Sequence, residues 1–93
     1  MTSLDFKNLG TYLKEKRMAS KLTQAELAGL LKVHVQFVSN WERGLCAPPS
    51  HCFQQAMDIL KADRKKIVAV MLLDSKRVIE AKIFENKNKK RSA

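Results

Sequence analysis

LTQAELAGLLKVHVQFVSNWERG, residues 22–44, is the stretch on which the fold turns. Thr23, followed three positions later by Glu26, is the reciprocal capping pattern that starts a helix at Gln24. Ala25, Leu27, Ala28, Leu30 and Leu31 leave room for about two turns before Lys32 and Val33, so a short, strongly buried helix is expected. A second helix is expected over about 35–43, stopped by Gly44, which readily takes the left-handed conformation that ends helices. Within it Val38 and Trp41 have core spacing, while Gln36, Asn40 and Arg43 lie along another edge. One face must pack and the other is left to read something.

Working outward, Phe6, Leu9, Tyr12 and Leu13 repeat at helical spacing in DFKNLGTYLKEKRMAS, with Thr2 or Ser3 as a cap and a break at Ser20 and Lys21. Pro48 and Pro49 separate the 35–43 helix from a fourth. There Ser50 is the expected cap, and Phe53, Ala56, Met57 and Leu60 share a stripe. Asp63 then caps a longer helix, about 64–84, with Ile67, Val70, Met71, Asp74, Val78 and Ile79 on one face. ENKNKKRSA, residues 85–93, holds a cluster of Lys and Arg and reads as a basic, disordered tail. The expected class is all-α: one five-helix domain over 1–84, with an extended last helix and a basic tail.

The bulk numbers agree with one small, mainly helical core. The chain has 93 residues, 45% of them apolar, and few Gly or Pro. It contains no apolar run of membrane-spanning or signal-peptide length, so a bacterial or phage protein of the cytoplasm, associated with the nucleoid, is expected. The net charge of +9 is lopsided: residues 1–60 hold seven Lys/Arg against five Asp/Glu, and residues 61–93 hold eleven against four. Such an excess favours a polyanionic partner, because neutralising phosphates releases condensed counterions.

Enzyme chemistry finds little support. Cys46 and Cys52 flank His51 at a spacing that matches no common zinc pattern. Cys52 reads as a small, reduced apolar residue and Cys46 as a loop thiol. Neither histidine has a nucleophile or carboxylate at a telling spacing, and no glycine-rich phosphate loop is present. No enzyme, cofactor or metal is therefore expected.

Two short helices around a tight turn, the second ending at glycine, suggest a helix-turn-helix at about 24–43. LTQAELAGLLKV and FVSNWERG, with Arg17 upstream and residues 49–60 downstream, resemble the Cro/phage-repressor (XRE-like) family. The resemblance covers about residues 6–70 and implies a DNA-binding domain of phage-repressor fold. A recognition helix must enter a major groove about 12 Å wide, so one face carries polar readers and the other anchors it. Val38 and Trp41 are the anchors. Gln36 and Asn40, one turn apart, are candidate base readers, since each amide can pair with an adenine edge. Val35 is placed to touch a thymine methyl, and Ser39 to donate to a base or phosphate.

The resemblance further implies that Gln24 clamps a phosphate and that Glu42 forms a buried ion pair with Arg17. Thr23 is a candidate phosphate contact as well as a cap, and His34 and Arg43 flank the recognition helix as candidate backbone contacts. Two departures stand out. Lys32 occupies the turn position that is often glycine, and His34 stands where a Ser or Thr usually caps the recognition helix.

One such module buries a modest interface, so tight binding calls for a dimer on two half-sites. Met71, Leu72, Val78, Ile79 and Ile83 exceed what one small core absorbs and form the candidate dimer strip; the alternative is that the strip folds over the first helix. Lys87, Lys89, Lys90 and Arg91 either add DNA attraction or keep the end soluble. The leading function is a sequence-specific double-stranded-DNA regulator, a repressor acting as a homodimer, with no membrane partner. Kept beside it are an antitoxin-type autorepressor, with a toxin or polymerase as protein partner, and a nonspecific nucleoid-binding protein.

Overall fold

In a computed structural model the described residues are 5–92, with side chains through Ile83. Five helices follow one another: α1 (Lys7–Ala19), α2 (Gln24–Leu31), α3 (Val35–Glu42), α4 (Ser50–Leu60) and α5 (Arg64–Ser92). The fold is all-α. α5 runs on to Ser92, past the end expected near residue 84 and into the segment 85–93 read as a disordered tail, whose side chains lie outside those described. No helix among the described residues is long and apolar enough to cross a membrane.

Leu9, Tyr12, Leu13, Leu27, Leu31, Val38, Trp41, Cys52, Ala56, Leu60, Ile67 and Val70 form one buried cluster to which every helix contributes. α3 packs on both α1 and α2, while α1 also receives α5. The α1–α3 crossing is close because position 10 has no side chain: a Cβ on Gly10 would lie 2.4 Å from the Trp41 carbonyl oxygen. Gly44, at φ +81°, ends the segment after α3 and accepts the Phe6 N–H through its carbonyl at 3.1 Å. The chain entering α1 is thereby tied to the chain leaving α3.

α2 is less buried than its apolar content suggests. Only Leu27, Ala28 and Leu31 face the core, whereas Ala25 is exposed and Leu30 is 56% exposed. Eight residues make about two turns, and one core-facing stripe on so short a helix holds three or four side chains.

Helix ends explain the turns. Lys21, Lys32 and Lys61 all adopt the left-handed conformation, at φ 60°, 58° and 52°, just after α1, α2 and α4. In each case the next residue's N–H returns to a carbonyl in the last turn: Leu22 to Arg17, Val33 to Ala28 and Ala62 to Met57. This is the glycine-type helix ending carried out by lysine. Pro49, rather than Ser50, precedes α4; its carbonyl accepts the Phe53 N–H at 2.8 Å, which draws Ser50 into the helix.

Helix α1 starts at Lys7, with Phe6 at the cap position and no side-chain cap bond from it; Thr2 and Ser3, the expected caps, lie outside the described residues. Asp74 of α5 does the work instead. Its two carboxylate oxygens accept the N–H groups of Asn8 and Leu9, each at 2.9 Å, and its side chain is 2% exposed. A carboxylate beside the positive end of α1 satisfies donors that the helix cannot pair internally. Asp63 caps α5 through the Lys65 N–H, while its own N–H donates to the buried Tyr12 hydroxyl at 2.9 Å.

Candidate nucleic-acid interface

Helix α3 is positioned from behind. Val38 and Trp41 are 1% and 4% exposed and lock one face into the core. At its carboxyl end Glu42 meets Arg17: Nε donates to Oε2 at 2.5 Å and Nη2 to Oε1 at 3.1 Å, while Nη1 donates to the Leu22 carbonyl at 2.7 Å. The guanidinium thus joins α1 to α3 and to the chain entering α2. Gln24 adds a fourth bond, Nε2 to Glu42 Oε1 at 2.9 Å. α2 and α3 are fixed to one another and to α1 through a single carboxylate.

The opposite edge of α3 faces outward. Val35, Gln36, His34 and Arg43 are exposed, and Ser39 and Asn40 are half-buried. Gln36 Nε2 donates to Asn40 Oδ1 at 3.0 Å, so the two amides share one face and form one unit. What the pair still offers is the Gln36 carbonyl oxygen, an acceptor, beside the Asn40 amide N–H groups, which are donors. That donor–acceptor pairing complements an adenine edge, which presents N7 and N6–H in the major groove.

Around α2 the geometry bears on the candidate phosphate contacts. Thr23 Oγ1 accepts the Glu26 N–H at 3.0 Å and the Glu26 carboxylate accepts the Thr23 N–H at 2.9 Å, so the capping box is complete. The Thr23 N–H first, and the Thr23 hydroxyl next, hold the Glu26 carboxyl below its ordinary value. Gln24 keeps one amide hydrogen for an outside acceptor, since the other is used on Glu42. His34 occupies the cap position of α3 in extended conformation without a side-chain cap bond, which leaves its ring outward.

This pair of helices in this packing has a family. A helix-turn-helix domain matches residues 8–68, well over half of the chain. The chain belongs to the helix-turn-helix domain family. Within it the domain is of the XRE-like, Cro-type group, whose members are DNA-binding modules. No curated protein and no solved structure matches the chain. α2 and α3, with the turn between them, lie within the matched residues.

Three residues important to this arrangement have roles that the sequence alone does not reveal. Gly10 lies mid-helix with no local sign of the close crossing it permits. Asp74 sits on an apolar stripe, and its backbone partners are 65 and 66 positions away. Phe37 has an apolar side chain on α3 yet is 51% exposed, a value no periodicity assigns. The candidate dimer strip is divided: Met71 and Val78 are half-buried beside Phe6, whereas Leu72, Ile79 and Ile83 are 64%, 57% and 48% exposed. Val68, at 52% exposure, extends the outward part.

Proposed function

We propose that this protein is a sequence-specific transcriptional regulator that inserts α3 in the major groove of double-stranded DNA, as a homodimer, and represses by occupying its site. The observation that carries this reading is the Gln36–Asn40 amide pair, held on the outward edge of a helix whose other face is locked by Val38 and Trp41. Gln36 and Asn40 read an adenine, Val35 and Ser39 contact neighbouring bases, and Thr23, Gln24, His34 and Arg43 meet the backbone. The second copy pairs through the Leu72, Ile79 and Ile83 face of α5, which sets two recognition helices one DNA turn apart, about 34 Å. Lys87, Lys89, Lys90 and Arg91 add attraction independent of sequence.

The test is a binding selection on random duplex DNA at physiological salt, with the mass of the recovered complex determined. An enriched inverted repeat carrying two protein copies supports the reading. Asn40→Ala should then relax sequence choice, and Arg43→Ala should weaken all sequences alike. Equal effects of the two substitutions on every sequence sink the assignment.

The exposed strip of α5 also favours a second reading, in which it holds a toxin or polymerase and the protein is an antitoxin-type autorepressor. Co-purification from the native host separates the two. A lone dimer speaks for the first, and a stoichiometric foreign chain for the second.

A further inference from the structure

Phe37 stands at the boundary between the two faces of α3. At about 100° per residue it lies about 60° around the helix from Asn40, and Asn40 lies about 40° from Gln36, so the three occupy one continuous arc. The ring is 51% exposed. One side of it lines a shallow apolar groove of about 280 Å³ shared with Val33, Trp41, Ala47 and Pro49. One side of the ring thus borders open apolar space, and by helical spacing the ring lies next to the hydrogen-bonded amide pair. Half-exposed apolar surface is unfavourable in water and gains on being covered.

We propose that Phe37 is a further base-reading residue, and that the group it reads is the C5-methyl of thymine. This inference rests on the DNA-binding reading of α3. In the major groove the thymine methyl is the apolar feature that base pairs present, and phenylalanine is among the side chains that contact it. Chemistry on either side of the ring points to the same base pair type. The free acceptor of Gln36 and free donors of Asn40 complement adenine, and every adenine brings a thymine methyl into the same groove. An amide pair and a phenyl ring set side by side therefore read the two halves of A·T pairs, in one step or in adjacent steps.

The experiment uses the full chain and its selected duplex. Each thymidine of the site is replaced in turn by deoxyuridine, which removes the methyl and leaves every hydrogen-bonding group. Affinities are measured for the wild type, Phe37→Ala and Phe37→Leu. The expected result is one thymidine whose replacement weakens the wild type about fourfold, as for one buried methyl, leaves Phe37→Ala unaffected and has an intermediate effect on Phe37→Leu. Circular dichroism melting of both variants shows that α3 is retained. If every replacement acts equally on wild type and Phe37→Ala, or none weakens the wild type, the proposal is overturned, although DNA recognition by Gln36 and Asn40 still stands. A wild type that selects no sequence overturns the DNA reading itself, and this inference with it.

Discussion

Glu42 accepts hydrogen bonds from Arg17 twice and from Gln24 once, where α1, α2 and α3 meet. The pair's side chains are 11% and 4% exposed, so neither charge can fall back on water when the other is removed. Glu42→Ala is expected to lower stability by about 3 kcal/mol or more, read as a lower urea midpoint at unchanged slope. The double replacement Arg17→Met with Glu42→Leu should cost far less than the sum of the two single changes; simple additivity would mean that the charges act independently. Glu26 supplies a second, pH-dependent test. Its carboxyl is held low by the Thr23 N–H first and the Thr23 hydroxyl next, so the folded value lies below the ordinary 4.5. Its contribution is complete above the unfolded value and is lost as pH falls through the folded one. Glu26→Gln should therefore flatten the stability profile below about pH 4.5, and an unchanged acid limb would contradict the cap's role. The capping box was legible because both partners lie within one turn of chain. Phe37 was not, since whether an apolar residue at a helix edge packs or protrudes depends on the neighbouring elements.

The helix junctions carry opposite lessons for glycine. Gly10→Ala gains helix propensity of about 1 kcal/mol, but it sets a Cβ 2.4 Å from the Trp41 carbonyl and 2.7 Å from that of Glu42, both backbone atoms. A net loss of about 1–3 kcal/mol is expected as α1 is forced away from α3. Gly29→Ala in α2 meets nothing within 4 Å and should raise stability by about 0.5–1 kcal/mol. Thermal melts of the two variants should thus move in opposite directions; equal shifts would refute the close-crossing account. Lys32 makes the complementary case, a side chain held at φ 58° where glycine is at ease. The sequence showed that the turn must close there, but not that Lys21 and Lys61 close two more turns in the same way. Helix existence was legible from apolar spacing and caps. The burial of α2 was overstated because adjacent leucines cannot all face one core, and the cap of α1 was missed because it comes from α5.

At the scale of the molecule, charge and apolar surface pull against each other. The chain carries +9, and Arg64, Lys65, Lys76 and Lys82 are exposed on α5. By helical spacing these four border the strip formed by Val68, Leu72, Ile79 and Ile83, so two copies meeting there bring like charges together. Self-association driven by this face should therefore tighten as salt screens the repulsion, while attraction of each copy to DNA should weaken as counterion release becomes less favourable. Sedimentation equilibrium across a salt series, run beside binding to a single half-site, would show the two affinities moving in opposite senses. Ile79→Lys should hold the protein at monomer mass throughout the series. It should also reduce binding at an inverted repeat to that of one half-site, with affinity for the isolated half-site unchanged, because Ile79 lies on α5 and not on α3. Were the variant still to occupy the repeat as tightly as the wild type, α5 would not be the dimer face.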